Sequence, residues 1–487
     1  MVRNMSVVRW AALLCVVALA VSLALFAWRI NPNHLQGDQW RWVKHVLMPY
    51  RAGEISLFEA LTYEFKVLSH THVLTLGEFL LNERLLGLDL RAHTVIGVLS
   101  IFGVMGLLWK NWARWLGPSS ADGQDPERAE SRGLQDLWVG FGIVLSASAL
   151  MTPALTPAFA WSLVTFEFLY LLLAFWLLHG FARDFADGSL RRLIAVMAIV
   201  FLLGDAMGSA AVLATMAMAV ILAIADRKLL GRAVMYIVSF AVIAGLAALL
   251  LTGEVSHSRS SSLDALVYAL QNAPKTLSLI FNGIGRGAYV AARGTTVFGL
   301  EPREPTFLIG IVVIGLSLVF LALAILRRRL RENTFAILLL GFTAVSLIGV
   351  IRLRIEVTDG SIVYAGRYYR FLFPYMIGTA LLAFDAWQTR LMAPSGLRTA
   401  MTAIFGLLVT AHLSMTLLSS IHVWTHSTGS LDKYFASWDA ALLESAMTGS
   451  DLYDETNRRC RNDYCDAAID YLQEHGLASL PQDVDSN

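Results

Sequence analysis

Stretches of about 20 apolar residues, the length a helix needs to cross the hydrocarbon core of a bilayer, recur along nearly the whole chain with short charged breaks between them. A soluble core for 487 residues does not need a sequence that is 56% hydrophobic and only 15% charged. The pattern therefore predicts an all-α polytopic membrane protein. A β-barrel would alternate apolar and polar residues with period two, and no such alternation runs through the sequence. The net charge of +1 names no partner, because in a membrane protein the position of charges matters more than their sum. Nothing in the composition points to nucleic acid.

The runs predict about eleven spans, near 10–28, 92–109, 134–152, 161–178, 193–207, 209–225, 233–252, 306–326, 334–350, 371–388 and 399–418. The first is longer than a usual signal-peptide core and is read as a retained helix. With the N-terminus inside, the inner connections carry "KNWAR", "RRL", "DRKLLGR" and "RRRLREN", whereas the short outer turns around "TPALTP" and "GDAMGS" carry no Lys or Arg. This is the positive-inside asymmetry. The stretch 193–225 reads as a hairpin broken at Gly204-Asp205, because a single helix there would flip every later span and put "RRRLREN" outside.

This reading leaves four long outer segments, at about 29–91, 253–305, 351–370 and from about 419 to the end. No inner loop contains a Walker-type GxxxxGK[ST], and no GxGxxG lies between a strand and a helix. Any chemistry is thus expected at the outer face, where an activated substrate would arrive on a lipid. In the first outer segment, "GEISLFEALTYEFKVL" and "SHTHVLTLGEFLLNERLLGLDLR" carry apolar residues at helical spacing, as interfacial helices do. Together with "NPNHLQGDQWRW" they would form a platform over the membrane, with His34, His70, His72, Glu78, Glu83 and Arg84 as its polar side chains. Juxtamembrane amphipathic helices also occur without catalysis. A His-x-His pair can bind zinc, but a catalytic site needs a third protein ligand, and none is adjacent to His70 and His72. Glu167 and Asp205 lie in or beside apolar runs, where a charge should face a cavity or a partner. In the outer tail, Cys460 and Cys465 are spaced so that a bridge is sterically feasible, in a compartment that permits disulfides; two ordinary thiols are the alternative. The last residues, "HGLASLPQDVDSN", have the composition of a disordered end.

An aspartate early in the loop after span one ("GDQW"), the "SHTH…NER" stretch before span two, a block of seven spans followed by a long outer loop, and "AGRYYRFLFP" before a late span together resemble the GT-C superfamily of polyprenyl-phosphate-sugar-dependent glycosyltransferases. The resemblance covers residues 1–305 as topology, with four further spans over 306–418 and an extracytoplasmic tail over 419–487. It implies a GT-C fold and transfer of a sugar from a lipid phosphate to a cell-envelope glycan, lipid or protein, typically with inversion, in a bacterial plasma membrane. It implies that Asp38 is the catalytic carboxylate, a role chemistry allows, because an acceptor hydroxyl needs a base as it attacks the anomeric carbon. It implies that an arginine in the segment before span ten holds the donor phosphate. Arg367 is the first choice and Arg370 the second, with Arg286 and Arg293 of the long loop as further phosphate contacts, since a guanidinium donates two parallel hydrogen bonds. The same aromatic and basic segment could instead be an interfacial anchor. Many relatives have Asp-Asp or Asp-x-Asp, where a divalent metal helps hold the phosphate. Here Gly37, Gln39 and Trp40 supply no second acid, which leaves metal dependence open, with Glu54, Glu78 or Glu83 as alternative carboxylates. An O-antigen ligase or polymerase type of enzyme would share the spans and outer arginines but lacks the platform. A lipid or solute transporter would be expected to show internal repeats, which this sequence does not.

Overall fold

The computed structural model describes residues 7–31, 33, 35, 38–68, 72–114, 126–152, 162–251, 267, 269–289, 305–354, 368–389, 395–427, 429, 433 and 464–477. All regular structure among them is helical. In chain order, α1 is Val7–Ile30, α2 Asp38–Trp42, α3 Met48–Arg51, α4 Leu57–Leu68, α5 Val73–Leu86 and α6 Arg91–Ala113. The next six are α7 Pro126–Leu150, α8 Ser162–Phe166, α9 Phe168–Asp184, α10 Leu190–Leu203, α11 Asp205–Ala225 and α12 Leu230–Leu251. The last six are α13 Ala273–Ala288, α14 Thr306–Leu326, α15 Thr334–Arg354, α16 Tyr369–Gln388, α17 Ser395–His422 and α18 Tyr464–Glu474.

Nine helical stretches of the described residues are long and apolar enough to cross a membrane, as a multi-pass membrane protein requires. Of the other predicted spans, 193–207 is the 14-residue α10, and 371–388 falls in α16, which carries Arg370 and Asp385 and encloses Pro374. The break expected at Gly204-Asp205 separates α10 from α11. Asp205 has a φ of 48°, and a Cβ built on Gly208 would lie 2.1 Å from the carbonyl oxygen of Val200. Residues eight apart in one straight helix would be about 12 Å apart along its axis, so the chain folds back as a hairpin and only glycine fits at 208.

Connections alternate between two ends of the bundle. At one end, ion pairs tie helix termini: Arg9 to Asp136 at 2.6 Å, Arg192 to Asp184 at 2.7 Å, Arg329 to Asp385 at 2.7 Å, and Arg331 to Asp187. Arg232 donates to the carbonyls of Asp184, Phe185 and Gly188, filling acceptors that a helix C-terminus leaves open. The other end carries the platform. Between the ends lies one apolar core built around Phe175, Phe181, Trp112, Trp138, Phe342 and Phe384.

The platform has its own core of Trp40, Trp42, Val43, Val46, Leu76 and Phe79, to which α18 adds Ala468, Ile469 and Leu472. The sequence pattern predicts helices only in its second and third parts. The chain from Asp38 to Arg51 is nonetheless helical, with a π-helical turn over Val43–Leu47. Pro49, at the start of α3, has no N–H to donate to the preceding turn, which suits the widened ladder there. At α4, Ser56 and Glu59 form a reciprocal capping box: the Ser56 hydroxyl accepts from the Glu59 N–H at 3.2 Å, and Glu59 Oε2 accepts from the Ser56 N–H at 2.8 Å. The helical middle expected in 253–305 is α13. It lies against α14 so closely that a Cβ on Gly285 would sit 1.8 Å from the Thr306 carbonyl oxygen.

Candidate functional site

The segment that begins at Asp38 is held from three sides. Toward the bundle, the Gln39 amide donates to Ser162 Oγ at 3.1 Å, at the first residue of α8. Toward the platform, Arg41 donates to Glu64 Oε1 at 2.5 Å, and the Trp42 indole N–H donates to the same oxygen. Glu64 is 2% exposed, so its charge is compensated inside the platform, as a buried carboxylate requires. From behind, α18 packs its apolar face against α2 and the π turn. Asp38 is the first residue of α2. Ahead of it, the Asn31 amide donates to Thr94 Oγ1 at 2.7 Å, and Asn33 Oδ1 accepts from the Leu90 N–H at 2.7 Å. The approach to Asp38 is thereby fastened to the start of α6.

Three further polar contacts among the described residues, each with at least one buried partner, join the platform to the bundle. His72, just before α5, places Nε2 3.6 Å from Asp205 Oδ2 at the tip of the α10–α11 hairpin, with the rings of Trp42 and Tyr170 beside it at 5.9 and 6.2 Å. Thr75 shares a hydrogen bond with the Tyr170 hydroxyl. On α5, Glu78 pairs with His93 of α6, and its other oxygen accepts from Asn82 at 3.1 Å. His93 also packs on Phe166, one turn along α8 from the Gln39 contact. The Asp38 segment, Glu78 and His93 therefore converge where α6 crosses α8.

Each of the remaining sequence-chosen residues has a definite place or lies outside the described ones. Glu83 binds Arg51, with Nη2 2.7 Å from Oε1 and 2.5 Å from Oε2. Tyr471 of α18 lies beside that pair, and burial pushes its hydroxyl up from the ordinary tyrosine range. Arg84 is exposed on α5. Asp89, at the platform's edge, is held below the usual carboxylate range by the hydrogen bonds of Arg91. Glu167, at the joint between α8 and α9, forms an ion pair with Arg370, which also donates to the Val164 carbonyl at 3.0 Å. Arg286 is buried at the end of α13 near Tyr369, whose hydroxyl donates to the Gly287 carbonyl at 3.4 Å. His34, His70, Arg293, Arg367 and Cys460 lie outside the described residues, as do the side chains of Asp38, of which only the backbone is described, and of Cys465; any Cys460–Cys465 bridge therefore falls outside them too.

Sequence reasoning does not single out Gln39, Arg41, Trp42, Glu64 or His93 for this site. His93 falls in the first turn of an apolar run and reads as part of a span. No family model, curated protein or solved structure matches this chain.

Proposed function

We propose that this protein is a glycosyltransferase of GT-C type in a bacterial plasma membrane, transferring a sugar from a polyprenyl-phosphate donor to a cell-envelope glycan, lipid or protein acceptor at the outer face. In this reading α10 and α16 join the nine apolar stretches to make eleven crossings, the N-terminus is cytoplasmic, and the platform and C-terminal helix are extracytoplasmic. The observation that carries the proposal is the clamping of the segment starting at Asp38 between platform, bundle and tail helix. A base that must meet a developing bond within a few tenths of an ångström needs a rigid mount of this kind.

The chemistry balances without a further reactant. The acceptor hydroxyl gives its proton to the Asp38 carboxylate, the acceptor oxygen bonds to the anomeric carbon from the face opposite the phosphate, and the bond from that carbon to phosphate oxygen breaks, releasing polyprenyl phosphate. Of the arginines considered for the phosphate, Arg370 already serves Glu167 and Val164. Arg367 stays the first choice, with Arg286 and Arg293 of the long loop as further contacts. Arg286→Lys should weaken donor binding severalfold with little change in the yield of folded protein, because lysine offers a point charge in place of a planar fork. Unchanged donor affinity in a binding titration would leave Arg367 to be tested in the same way.

The direct test supplies membranes with labelled polyprenyl-phosphate sugars and follows label into cell-envelope material. Incorporation should require this protein, and a lack of protein-dependent incorporation across hexosyl and pentosyl donors would overturn the reading. Sidedness has its own test. In a background with Cys15, Cys460 and Cys465 replaced by serine, a cysteine at exposed Glu54 should react with an impermeant thiol reagent in intact cells, and one at exposed Glu332 should not. Labelling at Glu332 alone would invert the topology and remove the outer-face site.

A further inference from the structure

The end of the bundle opposite the platform carries more cations than its ion pairs use. Asp184, Asp187 and Asp385 are taken by Arg183, Arg192, Arg331 and Arg329, and Arg114 and Arg232 are spent on backbone carbonyls. Arg227 and Lys228, before α12, and Arg327 and Arg328, after α14, are exposed, and none of the four has a carboxylate within ion-pair distance among the described residues. The Arg331–Asp187 pair and the Arg232–Gly188 bond link the α14–α15 turn, the α9–α10 turn and the start of α12, so the turns that carry the two cation pairs meet at this end.

Both pairs also lie on a boundary. Ile224, shortly before Arg227, is 77% exposed, and Leu326, next to Arg327, is 79% exposed. The helices that lead from these turns, α12 and α14, are the two least buried of the nine apolar stretches, and their outward faces are leucine, isoleucine and valine. A molecule lying here would have its apolar part along those faces and a negative head at the cations.

Arg328 adds an independent sign. The end of α14 is a Schellman motif, in which the Arg329 N–H donates to the Ala324 carbonyl at 2.8 Å and the Arg328 N–H to the Ile325 carbonyl at 2.9 Å. Arg328 occupies the left-handed position of that motif, with φ at 58°, where glycine is the relaxed choice. A cation is held there against a backbone preference, and strain of this kind persists where the residue has a use.

We propose that Arg227, Lys228, Arg327 and Arg328 form a binding site for anionic phospholipid headgroups, with the acyl chains lying on the exposed faces of α12 and α14. The site is independent of sugar transfer. Its ligand is a phospholipid and not a free anion, because the cations border apolar surface that only acyl chains would cover.

The test uses the purified full chain in detergent, offered equal amounts of dioleoyl-phosphatidylglycerol and dioleoyl-phosphatidylcholine, with bound lipid counted by native mass spectrometry. The wild type should retain the phosphatidylglycerol at least about fivefold better, the preference that roughly one surface cation supplies. The fourfold variant Arg227→Gln, Lys228→Gln, Arg327→Gln, Arg328→Gln should retain the two lipids equally, while the platform variant Arg84→Gln should behave as wild type. Equal retention by the wild type, or an undiminished preference in the fourfold variant, would overturn the proposal. Displacement of phosphatidylglycerol by millimolar inorganic phosphate would overturn the lipid assignment in favour of a soluble anion. If the fourfold variant melts below the wild type in phosphatidylcholine micelles, a salt titration of the wild type decides instead. The preference should collapse between low and molar salt as screening shortens the reach of exposed charges, and a salt-independent preference would refute the site.

Discussion

Replacement of Asp38 by asparagine is expected to lower sugar transfer by about 10²–10⁴-fold, the usual cost of removing a general base, while the protein still extracts as a monodisperse species. Asparagine has nearly the same volume and still suits a helix start, so α2 should form. What disappears is the basic oxygen and the negative charge, which would otherwise accept the acceptor's proton and favour the positive charge developing on the sugar. The contacts that clamp this segment are made by Gln39, Arg41 and Trp42 and are unaffected by the change. Transfer should therefore fall through the maximum rate, with donor affinity measured separately remaining near wild type. Near-normal transfer would refute Asp38 as the base. The search would then turn to Glu78, which lies against His93, ahead of Glu83, whose carboxylate is held by Arg51, and of exposed Glu54.

How much of the molecule is legible in its sequence depends on the range over which each signal acts. Apolar runs report their own solvent, so the nine membrane-length helical stretches among the described residues and the break at Gly204-Asp205 can be read locally. The Ser56–Glu59 capping box is local too and marks the start of α4. The helix from Asp38 to Arg51 is hidden because its apolar side chains, Trp40, Trp42, Val43, Val46 and Leu47, bury against other platform helices and against α18. The short and mixed stretch "YCDAAIDYLQE" gives no sign that its alanine, isoleucine and leucine dock on α2, 426 positions earlier at the first residues of each helix. Partners across such distances are tertiary facts. Glu78 and Glu167 can be picked out as charges needing company, but nothing in the local pattern says that the company is His93 and Arg370.

The pair of Glu167 and Arg370 separates a structural role from a ligand-binding one. Arg370 is 5% exposed and gives its guanidinium to a carboxylate on one side and to the Val164 carbonyl on the other. Arg370→Met should remove both bonds and leave a charge in apolar surroundings with no counterion, at a cost of about 3–5 kcal/mol in stability. The melting temperature in detergent should fall accordingly. Adding Glu167→Gln removes the stranded charge, and because a buried pair barely repays its desolvation, the double variant should recover most of the loss. A residue that held only a donor phosphate would behave in the opposite way: Arg370→Met would leave the melting temperature alone and weaken donor binding, and Glu167→Gln would not rescue it. Arg370 ties α16 to α8 at Val164, and Gln39 binds the first residue of the same short helix, Ser162, so the single variant should also loosen the Asp38 segment. Hydrogen exchange over residues 38–51 should rise in Arg370→Met and return toward wild type in the double variant. Unchanged melting and unchanged exchange in Arg370→Met would show that the pair does not hold these two helices together.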